Sequence, residues 1–429
     1  MKIIIKKIKL ISMAENRPKI EENIDIMINN NKIEKIDKDI VPDKDAKIID
    51  GTNKVAMPGL INTHAHVAMS IFRETLDGYN LQEWLKDKIW PMEDKLNGED
   101  IYYGSYLSFI EMIKSGCTCI NDMYFLPGYS IKAAMETGVR FQTTRTLISN
   151  DVDKRLEELK DLINKYKSND TISINIGIHG LYTTNEEDLK MFLNFAKKEN
   201  LHVHMHFCEN SKEVQDIITS YNVKSPVEVI EKYFKDIPVL LAHCVKLTDN
   251  NIETISNYKN IFISHCPVSN LKLGCGIAKI QKMIDNGILI SLGTDGQGSG
   301  SNLDMFESMK YSALLQKGVN ENPKDMPAYE VLKCATINGA KALKLDDKIG
   351  SIEEGKCADI IILDINKENM KPLNDIFANI VYNAKGTNVE TTIVNGKVLM
   401  ENRILNEINE QKICNECEGI IFKLNSYTE

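Results

Sequence analysis

Short apolar runs typical of β-strands alternate with longer helical patterns through the middle of the chain. Segments such as DKRLEELKDLINKYK (153–167) and NEEDLKMFLNFAKKEN (185–200) repeat their apolar residues at helical spacing. Strands that alternate with helices predict a parallel sheet with right-handed crossovers. The eight strand-like runs lie at 59–66, 118–125, 139–146, 172–180, 202–209, 239–244, 261–269 and 288–296. Eight such strands predict a closed (β/α)8 barrel.

The two ends of the chain have a different pattern. Residues 1–57 and 350–405 alternate apolar and polar residues over short stretches separated by turns, and Asn395-Gly396 is a hairpin signal. Both ends therefore read as short strands separated by turns. We expect them to meet in one β-sandwich domain of residues 1–57 and 346–429, beside a barrel of residues 58–345.

Several predicted barrel strands end in a side chain capable of chemistry. All eight histidines of the chain fall within these strands, and catalytic residues of such barrels lie at the carboxyl ends of the strands. The residues at or near the strand ends are His66, His179, His206, His243, His265 and Asp295. Together they predict a polar active site at one end of the barrel.

Two histidine clusters have the spacing of metal ligands. His64 and His66 face the same side of a strand, about 6.6 Å apart, so both can bind one ion at about 2.1 Å. His202, His204 and His206 also share a face, but the outer two lie about 13 Å apart and cannot share one metal. Spacing alone allows His204 and His206 to act together, as it does for His64 and His66.

Composition and charge narrow the possible partners. Lys and Arg number 52 against 61 Asp and Glu, a net charge of −9 without a basic block, which argues against nucleic acid or an anionic membrane as the main partner. The first residues, MKIIIKKIKLIS, lack a long apolar run and a cleavage site. We expect a cytoplasmic protein whose ten scattered cysteines are reduced.

Five motifs in order, PGLINTHAH, HFCE, LAHC, SHCPVSNLKLG and LGTDG, resemble the amidohydrolase superfamily and its mononuclear deaminase branch. The segments ATINGAKAL and IGSIEEGKCADIIILD extend the resemblance over nearly the whole chain. LQEWLKDKIWPMEDKL and NLKLGCGIAKI are most similar to its 5-methylthioadenosine/S-adenosylhomocysteine deaminases. The resemblance implies a (β/α)8 barrel with a β-sandwich built from both termini.

The resemblance also implies a metal site. Its ligands would be His64, His66, His206 and Asp295. Relatives with two metals carry a lysine at the end of the fourth strand, and this strand ends in IGIHG instead, which favours one metal. Three imidazoles and a carboxylate suit Zn²⁺, although iron also fits.

The same resemblance assigns the reaction and its residues. The reaction would be hydrolytic deamination at C6 of 5′-modified adenosines, such as 5′-methylthioadenosine, S-adenosylhomocysteine, adenosine or 5′-deoxyadenosine. Glu209, His243 and Asp295 would be catalytic, with Glu209 carrying a proton to N1. The substrate-binding residues would be Trp84, Glu93, Arg145, Arg155, His179, Glu209 and Ser299. Such a protein would bind a small nucleoside, without nucleic acid or membrane, and form a dimer or tetramer.

Two alternatives stay open at this stage. One keeps the barrel and the metal but changes the substrate to guanine, another aminated heterocycle or a chlorinated triazine, which have no ribose for Glu93 and no carboxylate for the arginines. The other is a non-catalytic scaffold, against which the complete ligand set and Glu209 argue.

Overall fold

The computed structural model describes residues 2–74 and 77–425. In these residues the strands form a nine-stranded, a five-stranded and a four-stranded sheet. The strands are β1 Lys2–Leu10, β2 Glu21–Asn29, β3 Lys32–Asp37, β4 Lys47–Asp50, β5 Lys54–Pro58, β6 Leu60–Ala65, β7 Cys117–Asp122, β8 Arg140–Thr143, β9 Ile172–Ile174, β10 Ile176–Gly180, β11 Val203–Phe207, β12 Val239–His243, β13 Ile261–His265, β14 Leu289–Leu292, β15 Ile360–Asp364, β16 Val389–Val394, β17 Lys397–Glu401 and β18 Ile404–Leu405.

The two smaller sheets form the barrel. The four-stranded sheet has the order β6-β7-β8-β9 and the five-stranded sheet the order β10-β11-β12-β13-β14, with every neighbouring pair parallel. β9 and β10 are two parts of one predicted strand, interrupted at Asn175. β14 ends beside β6, where the backbone N–H of Asp295 donates to the carbonyl of His64 at 3.0 Å. The described chain thus has a strand at each of the eight predicted positions, which confirms the (β/α)8 barrel.

Both ends of the chain share the nine-stranded sheet. Its order is β18-β17-β16-β15-β5-β1-β2-β3, with β4 paired to β1, and β15 joins the two ends by pairing antiparallel with β5. One face buries an isoleucine-rich core; burial of such a side chain stabilises the fold by about 1.5–3 kcal/mol. This sheet confirms a β-rich domain from both termini, whereas the boundaries at 57/58 and 345/346 stay a prediction.

Helices cover the barrel and extend into the terminal region. They are α1 Leu81–Glu83, α2 Trp90–Glu93, α3 Gly98–Lys114, α4 Pro127–Thr137, α5 Val152–Tyr166, α6 Glu186–Glu199, α7 Ser211–Tyr221, α8 Pro226–Tyr233, α9 Asp249–Ile255, α10 Pro267–Lys272, α11 Ile280–Asp285, α12 Gln297–Gly300, α13 Met305–Val319, α14 Ala328–Cys334, α15 Ile337–Ala342, α16 Ile376–Tyr382 and α17 Glu410–Asn425. A π-helix at Trp84–Ile89 connects α1 to α2. None of the helices in the described residues has both the length and the apolar composition that a membrane span needs.

The last helix follows the strands of the terminal region. α17 lies in the region assigned to the sandwich, yet it packs against α3. The Sγ atom of Cys417 lies 3.4 Å from the carbonyl oxygen of Tyr103, and Lys114 pairs with Glu410 at 2.6 Å. Its buried residues recur at helical spacing, at Ile413, Cys417, Ile420 and Leu424. All ten cysteines are free thiols, as expected, and Cys417 has a packing role.

Candidate active site

Four side chains converge where β6, β11 and β14 end. The Oδ1 atom of Asp295 lies 3.4 Å from Nε2 of His64 and 3.1 Å from Nε2 of His66. The Nε2 atom of His206 lies 3.3 Å from Nε2 of His66. Strands distant in sequence thus bring three imidazole nitrogens and one carboxylate oxygen to a common point.

The other ring nitrogen of each imidazole has its own partner. Nδ1 of His66 donates to the carbonyl of Met123 and Nδ1 of His206 donates to the carbonyl of His179, both at 2.6 Å. These bonds orient the rings so that their Nε2 atoms face each other. Two Nε2 atoms that face each other require a positive charge between them, from a proton or a metal ion. Burial would lower the pKa of His66, but the carboxylate of Asp295 outweighs it and raises this pKa to about 9.

The donor set fits a divalent metal ion. His64, His66 and Asp295 are a group whose potential ligand atoms all lie within 4.8 Å of one another, and His64 also belongs to a group with His206 and His243. Nε2 of His64 is buried and lacks a hydrogen-bond partner among the described residues. An ion bound by three imidazoles and a carboxylate would occupy this nitrogen and neutralise the cluster.

The deeper histidines of β11 serve a different purpose. Nε2 of His204 lies 2.8 Å from Nδ1 of His64, and Nε2 of His202 lies 3.1 Å from Oε1 of Gln142. Asn121 and Asn175 link the two layers through a hydrogen bond of 2.8 Å. His202 and His204 are therefore hydrogen-bonded residues below the metal-binding rim rather than further ligands.

Glu209 follows β11 on a short, constrained turn. The buried carboxylate of Glu213 accepts from the backbone N–H groups of Cys208 at 2.8 Å and of Glu209 at 2.7 Å. This clamp holds Cys208 at a positive φ of 53°, and Asn210 caps the start of α7. Burial raises the pKa of Glu209, which is the direction that favours a proton donor.

His243 ends β12 beside Glu209. Its Nδ1 atom lies 2.8 Å from Oδ1 of Asn270, so Nδ1–H donates and Nε2 is the free acceptor of the neutral ring. No hydrogen-bond partner of Nε2 occurs in the described part of the chain. His243 lines the cavity, where this nitrogen can contact a water or a substrate.

Asp295 is held on its second oxygen by two serines. Its Oδ2 atom lies 2.5 Å from Oγ of Ser269 and 2.9 Å from Oγ of Ser299. This leaves Oδ1 directed at the histidines. The hydroxyl of Ser299, expected at the substrate, therefore lies against Asp295, although the residue also lines the cavity.

A cavity of ≈ 540 Å³ opens above these residues. Every predicted site residue lines it except His64, which is fully buried beneath. Trp84 and Glu93, from the segment after the first barrel strand, lie on its wall. The hydroxyl of Tyr124 donates to Oε1 of Glu93 at 2.6 Å, and burial raises the pKa of Glu93 to about 7 in spite of this bond.

Both predicted arginines reach the cavity, but each is engaged within the chain. Nε of Arg145 donates to Oε2 of Glu158 at 2.5 Å. Nε of Arg155 donates to the carbonyl of Asn150 at 2.7 Å, and its Nη1 donates to the carbonyl of Thr146 at 2.9 Å.

Several residues of this site were missed from the sequence. Ser269 and Tyr124 stand at the ends of predicted strands, so their position in the pattern was a usable signal. Glu213 and Glu158 lie on helices α7 and α5 and look like ordinary helical charges. Nothing in the sequence alone separates these two from solvent-exposed glutamates.

Comparison with known proteins agrees with this site. Residues 55–399 match the amidohydrolase family. The chain is 40% identical over 426 residues to a 5-methylthioadenosine/S-adenosylhomocysteine deaminase of Caldanaerobacter subterraneus subsp. tengcongensis, covering 97% of each chain. It is 39% identical over 413 residues to a 5′-deoxyadenosine deaminase of Methanococcus maripaludis, covering 94% of this chain and 96% of that one.

A solved structure supports the same assignment. An adenosine deaminase of Xanthomonas campestris with bound zinc superposes with a TM-score of 0.94 at 26% identity, covering 99% of this chain and 98% of that chain. The barrel, the histidine and aspartate cluster, and the matches over nearly the full length agree with one another. The chain therefore belongs to the amidohydrolase family.

Proposed function

We propose that the protein is a metal-dependent aminohydrolase that deaminates 5′-modified adenosines at C6, giving the inosine derivative and ammonia. Relatives at about 40% identity over nearly the whole chain are named for this chemistry. The observation that carries the proposal is the cluster of His64, His66, His206 and Asp295 beside Glu209, at the floor of one cavity.

One divalent ion, which we propose to be zinc, would be held by these three histidines and Asp295. When bound, it supplies a hydroxide nucleophile near neutral pH by lowering the pKa of a water. Asp295 accepts a proton from the attacking water, because its Oδ1 faces the cluster while the two serines hold Oδ2. Neutral His243 orients the water through Nε2, since Asn270 binds its Nδ1.

Glu209 carries the proton that the purine ring needs. Addition of hydroxide at C6 turns N1 into a base, and the raised pKa of the Glu209 carboxyl allows it to be protonated and to donate there. The proton that Asp295 takes up leaves with the amino group as ammonia, and the other water proton restores the one that Glu209 gave to N1. The balance is one nucleoside and one water to one inosine derivative and one ammonia.

The cavity wall fits a nucleoside. Trp84 supplies an apolar surface for the base or sugar, and Glu93 supplies a carboxylate that accepts hydrogen bonds from two ribose hydroxyls. His179 lies with its ring centroid 5.0 Å from that of His206 and faces the substrate from β10. A free purine base or a triazine has no ribose hydroxyls for Glu93, so it would form fewer hydrogen bonds to this carboxylate, which already accepts from Tyr124.

An ammonia-release screen tests this proposal. We expect turnover of 5′-methylthioadenosine, S-adenosylhomocysteine, adenosine or 5′-deoxyadenosine, and about one metal ion per chain by elemental analysis. Guanine and a chlorinated triazine should be inert. Release of ammonia from guanine, or of chloride from the triazine, without activity on any adenosine would contradict the proposal and support the alternative heterocycle hydrolase.

The pH dependence of binding gives a second prediction, because the pKa of Glu93 is raised to about 7. Only the ionised carboxylate accepts two hydroxyls, so KM for 5′-deoxyadenosine should rise several-fold as the pH falls from about 8 to about 6. The analogue without the 2′ and 3′ hydroxyls should lack this dependence, which isolates Glu93 from the other titrating groups.

Two variants sharpen this test. Glu93→Gln should remove the difference between the two substrates at every pH. Tyr124→Phe should move the inflection to higher pH, because the Tyr124 hydrogen bond lowers the pKa of Glu93. If the inflection persists in Glu93→Gln, it belongs to another group.

The association into a dimer or tetramer and the cytoplasmic location stay predictions.

A further inference from the structure

Arg145 and Arg155 line one part of the cavity, and the carboxylate of Glu158 lies beside Arg145. Glu158 lies on α5, three residues after Arg155, and its Oε2 atom accepts from Nε of Arg145 at 2.5 Å. The side chain of Arg145 is 15% exposed and that of Glu158 is 41% exposed. Arg145 therefore already has a carboxylate partner supplied by its own chain.

Backbone carbonyls engage further nitrogens of the two arginines. Arg155 uses Nε and Nη1 on the backbone carbonyls of Asn150 and Thr146. Nη1 of Arg145 contacts the same Thr146 carbonyl at 3.5 Å. An arginine binds a carboxylate best through two parallel N–H groups, and in each arginine both such pairs, Nε with Nη2 and Nη1 with Nη2, already have one nitrogen engaged.

The position of the arginines decides what part of a substrate they meet. Arg145 pairs with Tyr124 in a β-bridge, and the Tyr124 hydroxyl binds Glu93, so Arg145 lies next to the proposed ribose site. With the purine at Glu209 and the ribose at Glu93, the 5′ substituent would meet the arginines. A homocysteine carboxylate at this end would compete with Glu158 for Arg145 and would be repelled by its charge. A methyl or methylthio group has no charge, so it neither competes for Arg145 nor is repelled by Glu158.

Resting on the proposed function, we propose that Glu158 is a specificity residue. Its carboxylate occupies Arg145, so that the enzyme favours nucleosides with small uncharged 5′ substituents, such as 5′-deoxyadenosine and 5′-methylthioadenosine, over S-adenosylhomocysteine. The two guanidiniums still give this part of the cavity positive charge, and Glu158 sets how much of that charge a substrate can use.

Glu158→Gln tests the proposal, with the ratio of kcat/KM for S-adenosylhomocysteine to that for 5′-deoxyadenosine as the readout. The interaction energy of a partly exposed charge pair is modest, so this ratio should rise about threefold to tenfold. Glu157→Gln makes the same charge change at an exposed neighbouring position of α5 and should leave the ratio unchanged. In an Arg145→Ala background, Glu158→Gln should raise the ratio less, because only the direct repulsion of the substrate carboxylate is then relieved.

The outcomes are separable. A ratio that falls in Glu158→Gln and in Glu158→Ala would show that Glu158 positions Arg145 for the substrate carboxylate, and it would overturn the proposal. An equal rise in Glu157→Gln would also overturn it, because the effect would then be one of overall charge. Failure of the wild-type enzyme to release ammonia from any adenosine would overturn the proposed function itself, and this inference with it.

Discussion

Glu209→Gln should lower kcat for 5′-deoxyadenosine by about 10³-fold, within the range of about 10²–10⁴ that a positioned proton carrier contributes. The amide has nearly the shape of the carboxyl group, but it cannot take up a proton and deliver it to N1. Oε1 of Glu209 lies 3.7 Å from Sγ of Cys275 and 3.7 Å from Nδ1 of His243, so a neutral side chain is accommodated there.

Metal content and substrate affinity distinguish a chemical role of Glu209 from a structural one. Glu209 is not among the proposed ligands, so the variant should keep its full complement of metal and a KM within about threefold of the wild type. The melting temperature should also stay close, since Glu213 contacts the backbone of Glu209 rather than its side chain. A variant that retains more than about a tenth of kcat would remove Glu209 from the proton transfer.

Asp295→Asn should remove both metal and activity. The Oδ1 atom of Asp295 lies 3.4 Å from Nε2 of His64 and 3.1 Å from Nε2 of His66. A neutral amide loses the charge attraction to the ion and the base that accepts the water proton. We expect much less bound metal in the purified variant, weaker retention against a chelator, and a fall in kcat/KM of at least about 10³-fold.

Ser269→Ala is the matched control for this variant. It removes the 2.5 Å contact to Oδ2 of Asp295 but keeps the carboxylate. The control should keep its metal and lose about 10–100-fold in activity, as changes in groups that orient a metal ligand do. Bound metal in Asp295→Asn equal to that of the wild type would take Asp295 out of the ligand set.

The barrel was predictable because its strands are locally encoded. Each strand is a short apolar run bounded by turn or helix signals, and the structure has strands at all eight predicted positions. The break of the fourth strand at Asn175 was not predictable. The side chain of Asn175 is buried and donates to Oδ1 of Asn121 on β7. A contact between two strands leaves no recognisable pattern in the sequence of either strand.

In the terminal region too, local pattern predicted the strands but not how the elements pack. The short strands followed from the alternation of apolar and polar residues, and the nine-stranded sheet of both ends bears them out. Their pairing is mixed, because β5 pairs antiparallel with β15 but parallel with β1. Residues 410–425 were grouped with those strands by position along the chain. They form α17, because their apolar residues recur at helical spacing and the surface of α3 is available to bury them.

The sequence by itself determined the fold class, the polar end of the barrel and the type of chemistry. Local apolar periodicity specifies strands and helices, and the parallel topology then gathers the strand ends of His66, His206 and Asp295 at one edge. Only the tertiary structure decided which partners act on them. His204 supports His64, Glu213 clamps Glu209, and Glu158 occupies Arg145, each across a gap in sequence or on a helix face. These contacts depend on distances between elements, to within an ångström. The pattern of residues along one element does not predict such distances.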